Sequence, residues 1–210
     1  MELDQLPEDI RMALLRSLAA GEDVHESAVK SRVQAALEAA RLPTMGPSEE
    51  RLLGKGVVLF LDLDGPCHPQ GASRIDDQGM VTGEGLFRWW PQLKTVLDDY
   101  PDVQVVVHSS WGRLFGPLPF LKPLLPADLA RRVVDITSMD EPRRGHAVQE
   151  WVDSHAAELG AYVVLDDQAD SFAPHVPLVC CDPQRGLSAP AVVQQLRFAL
   201  ECATHRVLRA

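Results

Sequence analysis

Apolar and polar positions alternate in two rhythms along this chain, and the rhythm changes near residue 57. Before it, apolar residues recur at helical spacing: Ile10, Leu14 and Leu18 share one face, and Val29, Val33, Ala36, Leu37 and Ala40 share another. That spacing predicts two amphipathic helices joined through Gly21-Glu22-Asp23-Val24-His25, a helical hairpin over residues 1–42. Leu42-Pro43 closes it, and the Pro- and Gly-containing stretch 43–55 reads as a linker. From there to residue 210, short uncharged runs alternate with helix-like stretches, the pattern of an α/β domain with a parallel sheet. Strands are predicted at 57–61, 103–107, 133–136, 162–165 and 176–181. Helices are predicted through Leu93, Val96, Leu97 and Tyr100, through Ala147, Val148, Trp151, Val152 and Leu159, and through Val192, Leu196, Ala199 and Ala203.

The ends of these apolar runs carry the candidate chemistry. Val57-Val58-Leu59-Phe60-Leu61 stops at Asp62-Leu63-Asp64-Gly65, where a turn at Gly65 can bring both carboxylates around one metal or one phosphate. Val103-Gln104-Val105-Val106-Val107 runs through His108 into Ser109-Ser110-Trp111, where a hydroxyl and the following N–H groups can hold a phosphate oxygen. Arg143-Arg144-Gly145 opens a helix and offers a guanidinium to a transferring phosphoryl group. Tyr162-Val163-Val164-Leu165 ends in Asp166-Asp167, whose mutual repulsion a bound divalent cation relieves. Singly, each has a plainer reading: an Asp-Gly turn, a serine helix cap, two solvated arginines.

Composition narrows the class. The 210 residues are 46% hydrophobic and 24% charged, ordinary for a soluble globular protein, and a formal charge of −10 disfavours broad attraction to nucleic acid or anionic membrane. Divalent cations suit such a chain better. No apolar run approaches the roughly 20 residues that span a bilayer, and the start, Met1-Glu2-Leu3-Asp4, is acidic, so a cytoplasmic location is expected. Cys67, Cys180, Cys181 and Cys202 show no CxxC or zinc-like spacing and are expected to be free thiols.

Taken in order, Asp-x-Asp-Gly, Ser, Arg and Asp-Asp at the ends of apolar strands resemble the motifs of the haloacid dehalogenase (HAD) superfamily of phosphohydrolases, across about residues 56–200. Asp62-Leu63-Asp64-Gly65 matches the first motif, Ser109 the second, Arg144 the third and Asp166-Asp167 the fourth. Ser109-Ser110-Trp111, Arg144-Gly145 with Glu150-Trp151-Val152, Leu165-Asp166-Asp167 and Gly186-Leu187-Ser188 are similar to the HAD domain of Swiss Army Knife RNA repair proteins. Two departures stand out: Pro66 follows the first-motif glycine, where Thr or Val is frequent, and the third-motif cation is arginine where lysine is common. Which of Ser109 and Ser110 serves the second motif stays open, although Ser109 comes first after the apolar run.

The resemblance implies a three-layer Rossmann-like core and a Mg²⁺-dependent phosphomonoesterase. It gives Asp62 the role of nucleophile forming an aspartyl-phosphate, and Asp64 that of general acid and base. Ser109 and Arg144 would steady the phosphoryl oxygens, and Mg²⁺ would be held by Asp62, the Asp64 carbonyl and one or both of Asp166 and Asp167. Asp170 pins the fourth-motif loop, orients a water or is simply a surface acid. Ser109 lies 47 positions after Asp62 and Arg144 lies 35 after Ser109, too little for a folded cap. An open site with a short flap over 68–85 is therefore expected, taking a nucleic-acid end, a nucleotide or another phosphoester. His68, His108 and His146 lack ligand spacing and take no metal role, and Trp89, Trp90 and Trp111 read as core or lid packing ahead of a base-stacking platform. The competing readings are an idle HAD-like module that recruits a protein partner through the hairpin, and a phosphotransferase.

Overall fold

The computed structural model describes residues 55–75, 81–115, 118–138 and 143–209. The predicted hairpin at 1–42 and most of the linker lie outside the described residues. Five strands form one parallel sheet: β1 (Gly56–Leu61), β4 (Gln104–Val107), β5 (Val133–Ile136), β6 (Leu159–Asp166) and β7 (Leu178–Cys180), in the order β5-β4-β1-β6-β7. With β1 central, the chain first builds outward through β4 and β5, then crosses back to add β6 and β7. Ligands of open α/β sheets gather beyond the strand ends at such a reversal.

Both faces of β1 are covered, which explains its unbroken apolar run. Val57, Leu59 and Leu61 point into the larger core, against α1 (Trp90–Asp98) and α6 (Pro190–Leu208). The short helices α2 (Trp111–Phe115), α3 (Leu118–Leu121) and α4 (Ala127–Arg132) close the same side. Val58 and Phe60 point the other way, toward Val148 and Trp151 of α5 (Arg144–Ser154). There Phe60 meets the Trp151 and Tyr162 rings edge-on, at centroid distances of 5.3 and 5.7 Å.

Three details differ from the pattern reading. Leu159 opens β6 instead of extending α5, because His155 ends that helix: its ring stacks on Trp151 and its Nδ1 donates to the Trp151 carbonyl. Helices α2–α4 carry no clear period in the sequence, since Pro119, Pro123 and Pro126 break the segment into single turns. The last strand is trimmed to Leu178–Cys180, just after Pro177, which has no N–H to give to a ladder. The expected flap is in part a two-stranded antiparallel hairpin, β2 (Arg74–Ile75) with β3 (Val81–Thr82); its tip, 76–80, lies outside the described residues. All four cysteines are free, and no helix among the described residues is long and apolar enough to cross a membrane.

Arg132, the last residue of α4, ties the end of α1 to the start of β4. Its guanidinium donates to the carbonyls of Leu97 (3.0 Å), Tyr100 (3.2 Å), Pro101 (3.2 Å) and Val103 (3.4 Å). Helix C-terminal carbonyls need such donors, and a cation there also suits the helix dipole. Arg132→Leu is expected to cost about 2 kcal/mol, the scale of charge-assisted hydrogen bonds, read as a lower urea midpoint with an unchanged slope.

Candidate active site

Period-two alternation along the strands decides which groups meet. Leu61 is level with Val107 on β4 and with Leu165 on β6, so the next residues, Asp62, His108 and Asp166, form one row across three adjacent strands. Backbone bonds from Asp62 N to Leu165 O (3.0 Å) and from His108 N to Leu61 O (2.8 Å) hold that row in register. By parity all three follow Phe60, Val106 and Val164 toward the α5 side, where Arg144 begins the helix.

Arg144 spans the two acids. Its Nη1 donates to Asp62 Oδ2 at 2.5 Å and to Asp166 Oδ2 at 2.7 Å, while both carboxylates are fully buried. Burial pushes Asp62 above the usual carboxylate range, the charge of Asp166 adds to the rise, and Arg144 and the Ser109 hydroxyl oppose it. Asp166 is also raised by burial, against the pull of Arg144 and of the Gln168 N–H that bonds its Oδ1 at 2.8 Å. Arg144 itself is desolvated, yet the two carboxylates hold it well above the ordinary arginine value.

Asp167 completes an acidic group with Asp62 and Asp166, whose ligand oxygens lie within 4.8 Å of one another. Its Oδ1 is buried without a hydrogen-bond partner, and burial raises its carboxyl too. Three carboxylates with one oxygen unsatisfied form a hard-cation donor set, suited to Mg²⁺ and not to a thiolate- or imidazole-seeking metal. Gly65 makes room for this: at φ 92°, a Cβ there would stand 2.7 Å from Asp167 Oδ2. Gly186 backs the same turn, where a Cβ would fall 2.2 Å from Gly65 O, and Leu187 N donates to Pro66 O at 3.2 Å. The proline that departs from the usual first motif thus keeps its carbonyl in use.

Asp64 points away from this group into a cage of donors. His68 Nε2 (3.0 Å) and Ser73 Oγ (2.8 Å) reach its Oδ1, and Trp111 Nε1 (2.9 Å) reaches Oδ2. The Phe87 N–H, set by a left-handed backbone at φ 52°, faces His68 Nδ1 at 3.4 Å, so the ring proton sits on Nε2 and is donated to Asp64. Burial alone would raise Asp64, but these bonds outweigh it and hold the carboxyl below its usual range. Ser73 directly precedes β2, so the hairpin and Asp64 are linked.

Ser109 and Ser110 both line the adjoining cleft, and Ser109 is the one whose hydroxyl eases the charge of Asp62. That cleft, about 600 Å³, is bordered by Ser109, Arg144, Thr137, His146, Gln168 and the exposed Asp170 among others, with no large aromatic ring among the described residues that line it. Trp89 and Trp111 are buried, as the packing reading expected. The sequence reading missed the second duty of Trp111, and the polar work of His68 and His108. Their visible signals were modest: His68 four residues after Asp64, and Trp111 two after Ser109.

The described site lies inside the region matched by the family model described as "HAD domain in Swiss Army Knife RNA repair proteins", residues 58–192, well over half of the chain. The chain belongs to this family. No curated protein and no solved structure matches it. HAD membership agrees with the parallel sheet and suggests a phosphohydrolase, and the acids are placed where such a domain can take a metal.

Two expectations follow for the metal-free HAD domain. Because Asp62 and Asp166 have raised values when folded, the folded state binds more protons than the unfolded one between about pH 4 and neutrality. Stability therefore falls as pH rises through that window. Mg²⁺ should stabilise more at pH 8 than at pH 5, with proton release, as read by melting curves and calorimetry. Arg144→Met should destabilise the apoprotein by about 3 kcal/mol, more at pH 8 than at pH 5, and Mg²⁺ should recover part of the loss.

Proposed function

We propose that this HAD domain is a Mg²⁺-dependent phosphomonoesterase working through an aspartyl-phosphate on Asp62. The observation that supports this most is the row of buried acids meeting one arginine at the sheet's reversal point, with an unsatisfied Asp167 oxygen beside it. Asp62, Asp166 and Asp167 would hold the ion by their carboxylates, joined by the Asp64 carbonyl. Bound there, Mg²⁺ offsets negative charge on the phosphoryl oxygens.

In the first half-reaction an Asp62 oxygen attacks phosphorus as the bond to the leaving oxygen breaks, and that oxygen takes a proton from Asp64. Arg144 moves its donors from the carboxylates to the phosphoryl oxygens, joined by the Ser109 hydroxyl. In the second half a water attacks phosphorus, gives its proton to Asp64, and the bond to Asp62 breaks, releasing orthophosphate. The donors around Asp64 favour its ionised form, which prepares the proton-accepting half. Carrying a proton in the first half requires Asp64 to loosen its contacts, and Ser73, beside the hairpin, is the contact placed to let go.

The cleft beside Ser109 and Arg144 receives the leaving group. Its hydroxyl- and amide-bearing border suits a polar alcohol such as a sugar or polyol, and the lack of large aromatic rings gives a nucleobase nothing to stack on. No folded cap stands among the described residues between β1 and β4, so a phosphorylated chain end, as the family's RNA-repair description suggests, fits the same opening.

The test is phosphate release from a panel of phosphate esters with Mg²⁺. Wild type should turn over, Asp62→Asn should be inactive, and Asp64→Asn should lose about 10²–10⁴-fold, the weight of general acid–base catalysis. No turnover by wild type, or retained turnover by Asp62→Asn, would sink the assignment. Added alcohols that divert phosphate from water would show a transferase instead.

A further inference from the structure

His108 is a fully enclosed imidazole that the proposed reaction does not use. Its residue is 3% exposed, its Nδ1 lies 3.1 Å from Thr137 Oγ1, and the Phe172 ring meets it edge-on at 5.7 Å. Its Nε2 is buried with no hydrogen-bond partner and points to Asp166 Oδ2 at 3.7 Å. Leaving a ring nitrogen unsatisfied in the core is costly, and native proteins seldom do so without a use for it.

From this geometry we infer that His108 is a positioning residue for Asp166, donating its Nε2–H to Asp166 Oδ2 when Arg144 leaves that oxygen for the substrate.

Asp166 has two oxygens with different anchors. Oδ1 keeps the Gln168 N–H at 2.8 Å throughout, whereas Oδ2 depends on Arg144 Nη1, which it shares with Asp62. A phosphoryl group draws that guanidinium away, and Oδ2 would then be free to rotate off the ion. Among the described residues, His108 Nε2 is also aimed at it, at 3.7 Å, beyond the roughly 2.7–3.2 Å of a formed N–H···O bond. The Thr137 hydroxyl, 3.1 Å from Nδ1, can donate or accept, so it is the carboxylate facing Nε2 that favours the tautomer with the ring proton on Nε2, the hydroxyl then donating to Nδ1. The opposite tautomer would turn a bare lone pair toward a carboxylate. His108 thus acts on the ion only through Asp166, as histidine–carboxylate partners around metal ligands do. The inference rests on Asp166 being a ligand in the proposed phosphatase.

The experiment uses the whole chain. Nitrogen-15 spectra of the histidine rings should show His108 protonated at Nε2; protonation at Nδ1 overturns the inference whatever the catalytic outcome. Calorimetric titration with Mg²⁺ in the presence of excess inorganic phosphate, which draws Arg144 off Asp166, should show affinity about tenfold weaker in His108→Met, and a smaller loss in Thr137→Val. His108→Gln, whose amide Nε2 can occupy the same place, should recover most of the wild-type affinity. A simple packing role would instead lower the melting temperature of Met and Gln variants alike without separating their affinities, and that result overturns the positioning role. If wild type binds Mg²⁺ yet hydrolyses no ester, the phosphatase reading fails while the His108–Asp166 pairing is still decided by the affinities. If wild type binds no Mg²⁺, both fall.

Discussion

One guanidinium holds this site together. Asp62 and Asp166 are fully buried and adjacent across two strands, where two negative charges would meet both repulsion and desolvation. Arg144 Nη1 between them offsets part of that opposition, a single donor serving both acids. That cation stands at the start of α5, where Gly145 lies so close to Ser171 that a Cβ would stand 2.4 Å from its carbonyl, and burial keeps the acids' proton affinity raised against its pull. The pair is held with its charge incompletely balanced, a state that suits the cation and phosphate of the proposed reaction.

The two aspartates of the first motif live in opposite environments although one residue separates them. Asp62 is dry and beside another acid, so its proton affinity rises; Asp64 is surrounded by His68, Ser73 and Trp111, so its proton affinity falls. Divergent environments for a carboxylate pair are how one fold supports two proton-handling roles. Here the divergence comes from the turn at Gly65, which ends strand alternation and sends Asp64 to the flap side.

Much of this was legible from the chain alone. Strand positions followed from uncharged β-branched runs, and the acids, the serine and the arginine stood at their ends in the order of the family's motifs. Ser109 and Ser110 could not be separated by spacing, because both follow the same strand and both line the cleft; of the two, Ser109 eases the charge of Asp62. His68 and Trp111 were passed over for a related reason. Their partner, Asp64, is reached through a flap and a helix turn whose meeting is a long-range event.

The sequence by itself determined the α/β class, the five strands and the set of groups delivered to their ends, since period and apolar run length are local properties. Tertiary structure decided how those groups are charged and paired. The level register of β4, β1 and β6 put His108, Asp62 and Asp166 in one row, and burial with Arg144 set their proton affinities. Those outcomes depend on distances between strands remote in the chain, which no local pattern encodes.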